Sequence, residues 1–117
     1  MNDMATKINN DQHWFVVVNP HAGTNKCIRD WPEIKKMLEA AGFNFSFVLT
    51  EKIHQAISLV QKAIEEDEFK SILVVGGDGT LNEAVNGIMK QQRFPPNEIR
   101  IGMITVGTGN DWGRMYD

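Results

Sequence analysis

Along the chain, short apolar runs alternate with longer segments whose apolar residues recur every three or four positions. Trp14-Phe15-Val16-Val17-Val18 is the first run and Ser71-Ile72-Leu73-Val74-Val75 a later one. Neither alternates polar with apolar, so each reads as a strand buried on both faces, as in a parallel sheet. Residues 43–49 and 99–105 read as two further strands. Between these runs the helical period appears. In residues 30–41 it brings Trp31, Ile34, Met37, Leu38 and Ala41 onto one face. Asp30 suits its N-cap, Pro32 and Glu33 its first turn, and Gly42 its C-terminal end. Residues 54–67 turn Ile57, Val60, Ala63 and Ile64 inward, and residues 80–91 do the same with Leu81, Ala84, Val85, Ile88 and Met89. A fourth helix is expected from Asp111 onward.

This β-α-β-α-β-α-β-α order predicts a three-layer α/β/α, Rossmann-like domain with a parallel sheet. Ligands of such sheets sit outside the carboxyl ends of the strands. The polar and glycine-rich breaks would gather at that edge. They are Asn19-Pro20-His21-Ala22-Gly23-Thr24-Asn25, Gly76-Gly77-Asp78-Gly79-Thr80 and Gly107-Thr108-Gly109-Asn110, with Thr50 closing the second strand.

Composition narrows the class. At 117 residues, 42% hydrophobic and 23% charged, the chain has the make-up of one globular domain. A net charge of −3 excludes a typical nucleic-acid binder. No segment has the roughly 18 apolar residues of a membrane span. Residues 1–12 are polar, lack a signal-peptide core and read as a disordered leader, to which His13 is assigned as well. The domain proper is expected over 13–117, in a cytoplasmic protein. The single cysteine, Cys27, allows no intrachain disulfide and reads as a small, partly buried thiol.

Gly76-Gly77-Asp78-Gly79-Thr80 follows a buried strand and opens an amphipathic helix. Glycines let the backbone approach a ligand, and the free amides of a helix start favour an anion. Thr80 adds a hydroxyl donor. Asp78 has two readings, as the helix N-cap or as a carboxylate that holds magnesium through water. A dinucleotide fingerprint begun at Gly77 fails at Asn82, and the following strand ends in Thr105-Val106-Gly107 without an acidic residue for a ribose. The Walker lysine pattern is absent.

Gly76-Gly77-Asp78-Gly79-Thr80-Leu81-Asn82-Glu83, with Asn86-Gly87 after it, resembles the signature of the diacylglycerol kinase catalytic domain, shared with bacterial lipid kinases and with sphingosine and ceramide kinases. Asn19-Pro20-His21-Ala22-Gly23, Thr50 and Gly107-Thr108-Gly109-Asn110-Asp111 match three further family positions. The resemblance covers residues 14–117. It implies the N-terminal domain of an ATP-dependent lipid kinase, which transfers the γ-phosphate to a lipid hydroxyl such as that of diacylglycerol. Asn19, Thr50, Gly76, Gly77, Asp78, Gly79, Thr80, Leu81, Asn82, Glu83, Gly107 and Thr108 would hold the nucleotide. Asn110 and Asp111 would face the lipid. Mg2+ would lie near Asp78. The implied partners are ATP, a lipid and a transient membrane surface where the protein is peripheral; a homodimer stays open.

Some positions depart from the pattern. Ala22 stands for the usual serine, Thr105 for a common proline, Trp112-Gly113 for a phenylalanine-alanine pair, and His54-Gln55 where glycine-histidine is frequent. These bear on substrate preference. NAD kinases and phosphofructokinases share the glycine-glycine-aspartate-glycine core; Asn82-Glu83 and the loop 107–111 favour a lipid kinase. A small-molecule kinase of the NAD kinase type and a non-catalytic nucleotide-binding module are the alternatives. His21 reads as a solvated loop residue and His54 as a helix-start residue. Lys26, Arg29, Lys35 and Lys36 read as a solvated helix face. No residue presents itself as the base for the attacking hydroxyl. The resemblance places it in a second, β-rich domain, so the 117 residues alone are expected to bind ATP weakly and to lack turnover.

Overall fold

The β-branched runs are the frame of the molecule. In a computed structural model, which describes residues 13–106 and the backbone of 115–116, they form strands β1 (Trp14–Val18), β3 (Ser71–Gly76) and β4 (Arg100–Thr105). β2 (Phe45–Leu49) lies outside β1, and a short β5 (Met115–Tyr116) outside β4. The order across the sheet is β2-β1-β3-β4-β5. The first four strands are parallel, and β5 runs antiparallel to β4. Val18 is level with Leu49 and Val75, and Val75 with Ile104, so the four carboxyl ends finish together. The chain reverses its direction of travel across the sheet between β1 and β3. A crevice opens at such a switch point.

The expectation that both sheet faces are buried is met. Val16, Val18, Leu73 and Val75 point to one face, where helix α1 (Ala22–Ala40) covers them with Cys27, Trp31, Ile34 and Leu38. Val17, Ile72 and Val74 point to the other, under helices α2 (Gln55–Asp67) and α3 (Asp78–Lys90) with Val60, Ile64, Ala84 and Ile88. The three-layer α/β/α domain follows from that alternation.

α2 and α3 touch closely at Gly87. A Cβ there would lie 2.6 Å from the carbonyl oxygen of Ile57 and 3.0 Å from Cβ of Val60. The glycine is required by helix packing.

The structure corrects several boundaries. α1 begins at Ala22, so Asp30 lies inside it and is not its N-cap, and Pro32 is likewise interior. The start is broken: Gly23, Thr24 and Asn25 have φ of 64, 58 and 68°, outside helical geometry. Ala41 and Met37 are exposed, as are Val85 and Met89 on α3. α3 begins two residues earlier than its periodicity suggested, at Asp78. His13 belongs to the fold: its Nε2 lies 3.1 Å from Oγ of Ser46, and its ring meets Phe69 edge-on.

The helix expected from Asp111 does not continue to its predicted end, since Met115 and Tyr116 pair with Ile104 and Met103. An open β4 edge presents unpaired backbone groups that a further strand can pair. Residues 1–12 and 107–114 lie outside the described residues, with the expectations that fall on them.

Candidate phosphate and nucleotide site

The glycine loop sits beside the crevice. β3 ends at Gly76, Gly77 is the extended N-cap of α3 (φ −115°, ψ −169°), and no side chain caps the helix. The first helical bond runs from the amide of Leu81 to the carbonyl of Gly77, 3.1 Å. Helix geometry therefore leaves the amides of Asp78, Gly79 and Thr80 without partners inside the helix. Asp78 is thus the first helical residue and not the cap. Its exposed carboxylate sits in the first turn, where the dipole favours it.

The space in front of this turn fits an anion. A Cβ on Gly77 or Gly79 would meet nothing within 4 Å. On Gly76 it would lie 3.0 Å from Oγ1 of Thr80 and 3.4 Å from Cβ of Asn19, so here the glycine permits two neighbours to close in. Asn19 continues β1 by donating its amide to the carbonyl of Val75, 2.9 Å. Its side-chain Nδ2 donates to Oγ1 of buried Thr80, 3.1 Å, and its Oδ1 accepts from the amide of His21, 3.1 Å. Because Thr80 accepts from Asn19, its hydroxyl proton remains free to donate to a ligand. Thr50, also buried, donates its amide to the carbonyl of Val18, 2.8 Å.

A cavity of about 210 Å³ opens between these elements. Asn19, Thr50, Thr80 and Glu83 line it, with His21 and His54 at its sides. Asp78 and Leu81 instead line a second, more apolar groove of about 450 Å³ with Val85, Ile101, Met103 and Thr105. Asn82 is exposed on α3. Gly107, Thr108, Asn110 and Asp111 lie outside the described residues. The predicted set is therefore divided by α3. Four of its members share the cavity, and Asp78 and Leu81 stand on the far side of the helix start.

Sequence reasoning passed over Glu51, Lys52 and Ile53 on the rim of the cavity and read His54 as a helix-start residue, which it is. His54 precedes α2 with φ 67°, ψ 3°, in the left-handed region, and makes no capping bond. That conformation costs a side-chain-bearing residue about 1–2 kcal/mol. Its Nδ1 lies 3.5 Å from Oε2 of Glu83. The work of closing the loop falls to Gln55, whose Oε1 accepts from the amides of Glu51 and Lys52.

Among the described residues, no group of three or more His, Cys, Asp or Glu is placed to hold a metal ion. Magnesium at this site would depend on Asp78, water and the oxygens of a bound phosphate. Cys27 is buried on the sheet-facing side of α1, and burial, reinforced by the charge of Asp30, pushes its thiol up to about 12. It is a packing residue, as its sequence reading held.

A doubly covered parallel sheet with a glycine turn and free helix amides at its switch point defines an α/β domain whose sheet edge suits an anion. The model of the diacylglycerol kinase catalytic domain matches residues 13–117, and the chain belongs to that family. It is 40% identical over 99 residues to a diacylglycerol kinase of Staphylococcus carnosus, covering 85% of this chain and 31% of that protein. It is 41% identical over 99 residues to one of Staphylococcus epidermidis RP62A, covering 85% and 30%. A solved diacylglycerol kinase structure from Bacillus anthracis str. Sterne aligns at a TM-score of 0.63 and 29% identity, over 83% of this chain and 34% of the other. The chain thus spans about a third of the length of these relatives.

Proposed function

We propose that this chain is the nucleotide-holding part of an ATP-dependent lipid kinase that passes the γ-phosphate to a lipid hydroxyl, that of diacylglycerol or a related lipid. The observation that carries the reading is the Gly76–Thr80 turn. It leaves open space and unpaired amides at the start of α3, directly beside a cavity lined by Asn19, Thr50 and Thr80. The amides of residues 78–80 and the Thr80 hydroxyl donate to phosphate oxygens. The positive end of the α3 dipole favours their charge. Asn19 holds the hydroxyl in place through its 3.1 Å bond. Asp78 is the residue that would order the water of a Mg2+ carried by the phosphates, which would supply charge neutralisation. By the family resemblance, Gly107 and Thr108 are assigned to the nucleotide and Asn110 and Asp111 to the lipid. The protein meets that lipid by transient contact with a membrane surface. The base for the hydroxyl is contributed from beyond residues 13–106.

The test is phosphorylation of diacylglycerol in vesicles by a full-length form of the protein and its Asp78→Ala variant. The side chain is exposed at the first helical position, so its loss costs only about 0.3–1 kcal/mol of stability. The turnover number is expected to fall far more than the melting temperature. Parallel loss of folding and turnover would make Asp78 a structural residue. Phosphorylation of NAD in place of the lipid would reassign the acceptor.

A further inference from the structure

We infer that His54, steadied by Glu83, is a nucleoside-reading residue at the rim of the cavity; the inference rests on the nucleotide-binding reading of that cavity. His54 occupies a left-handed backbone position with φ 67°. The turn that opens α2 sets this backbone, which glycine would adopt without strain. The His54 side chain does not cap α2 and is 75% exposed, so neither capping nor burial compensates the conformation. Strained residues that serve no structural end concentrate at ligand sites.

What the strain achieves is a position. The imidazole lines the cavity and reaches from the start of α2 to Glu83, on the second turn of α3, 3.5 Å away. Glu83 is one helical turn beyond Thr80, on the cavity side. Phosphates held at the amides of residues 78–80 therefore direct the remainder of a nucleotide past Thr80 toward Thr50, Ala56 and the His54–Glu83 pair. The chemistry of the pair agrees with that end of the ligand. A carboxylate repels phosphate but accepts hydrogen bonds from ribose hydroxyls or an exocyclic amine. An imidazole offers a flat π-surface to a base. Glu51 and Lys52 stand on the same rim, both exposed, and place one charge of each sign there.

The experiment compares two ligands, ATP and inorganic tripolyphosphate, by calorimetry with magnesium, on the native protein and on His54→Gly. Glycine adopts φ 67° without strain, so the variant is expected to melt at or above the native temperature. ATP affinity is expected to fall about tenfold while tripolyphosphate affinity stays within about twofold. Glu83→Gln, which keeps the shape of the side chain, should reproduce the same selective loss in smaller degree. Native-like ATP affinity in both variants would overturn the inference. So would an equal loss for both ligands, which would make His54 a phosphate contact. If the native protein binds neither ligand, the proposed function fails as well; if it binds both and only the variants behave as native, that function stands and His54 is a loop residue.

Discussion

One side-chain hydrogen bond, from Asn19 to Thr80, joins the end of the first strand to the start of α3 across 61 positions of sequence. It makes Gly76 critical, because the two residues can approach only where that position has no Cβ. Gly76→Ala would set a methyl 3.0 Å from the Thr80 hydroxyl and 3.2 Å from its Cβ. Overpacking of that kind costs about 1–3 kcal/mol, and the variant should melt lower and bind ATP more weakly because Thr80 is displaced. Differential scanning calorimetry and an ATP titration check the two effects together. Cys27 offers a prediction of another kind. Its thiol is raised from 9.0 to about 12 by burial, so the folded state holds a proton that the unfolded state releases above pH 9. The stability it contributes is complete below pH 9 and is lost as pH rises toward 12. Denaturant curves between these limits should slope downward with pH more steeply in the native protein than in Cys27→Ala. A disulfide reagent at pH 8 should label the native thiol only on unfolding.

At the scale of elements, strands were easier to read than helix ends. Val16 to Val18 and Ile72 to Val75 are apolar at every position because the sheet is covered on both sides, and an unbroken run has only that explanation in an α/β order. α1 was placed late because three successive left-handed residues, Gly23 to Asn25, interrupt its first turn, and neither Thr24 nor Asn25 announces such a backbone. α3 was placed late because Gly77, not a side chain, is its cap. The candidate site shows the same division. Asn19, Thr50 and Thr80 were legible from strand ends and the glycine loop, Glu83 only through the family resemblance, and all four share a cavity. His54 was legible as a helix-start residue, but its left-handed backbone was not. Gly87 was visible only as a motif position; its contact with the Ile57 carbonyl gives it a physical role. Gly87→Ala should therefore separate α2 from α3 and lower stability by about 1–3 kcal/mol, measured by urea denaturation, with the affinity for tripolyphosphate at the other end of α3 largely kept.

For the whole molecule, a family of lipid kinases supplies the context and the fold supplies the division of labour. The chain, about a third as long as its relatives, carries a sheet whose carboxyl edge gathers open amides, a buried threonine and a cavity. Those features suit holding and orienting phosphates, which is the larger part of phosphoryl transfer, since the reaction depends on positioning and charge stabilisation. No helix of the described residues is long and apolar enough to cross a membrane. The central claim is that ATP places its phosphates on the start of α3. The most direct measurement follows the backbone amides of isotopically labelled protein by NMR as ATP and magnesium are added. The account predicts that Gly77, Asp78, Gly79 and Thr80 shift most, with Asn19 and Thr50 following, while Lys90 at the far end of α3 stays in place. Saturating ATP that moves other residues and leaves Gly77 to Thr80 unmoved, or no response at millimolar nucleotide, would contradict it.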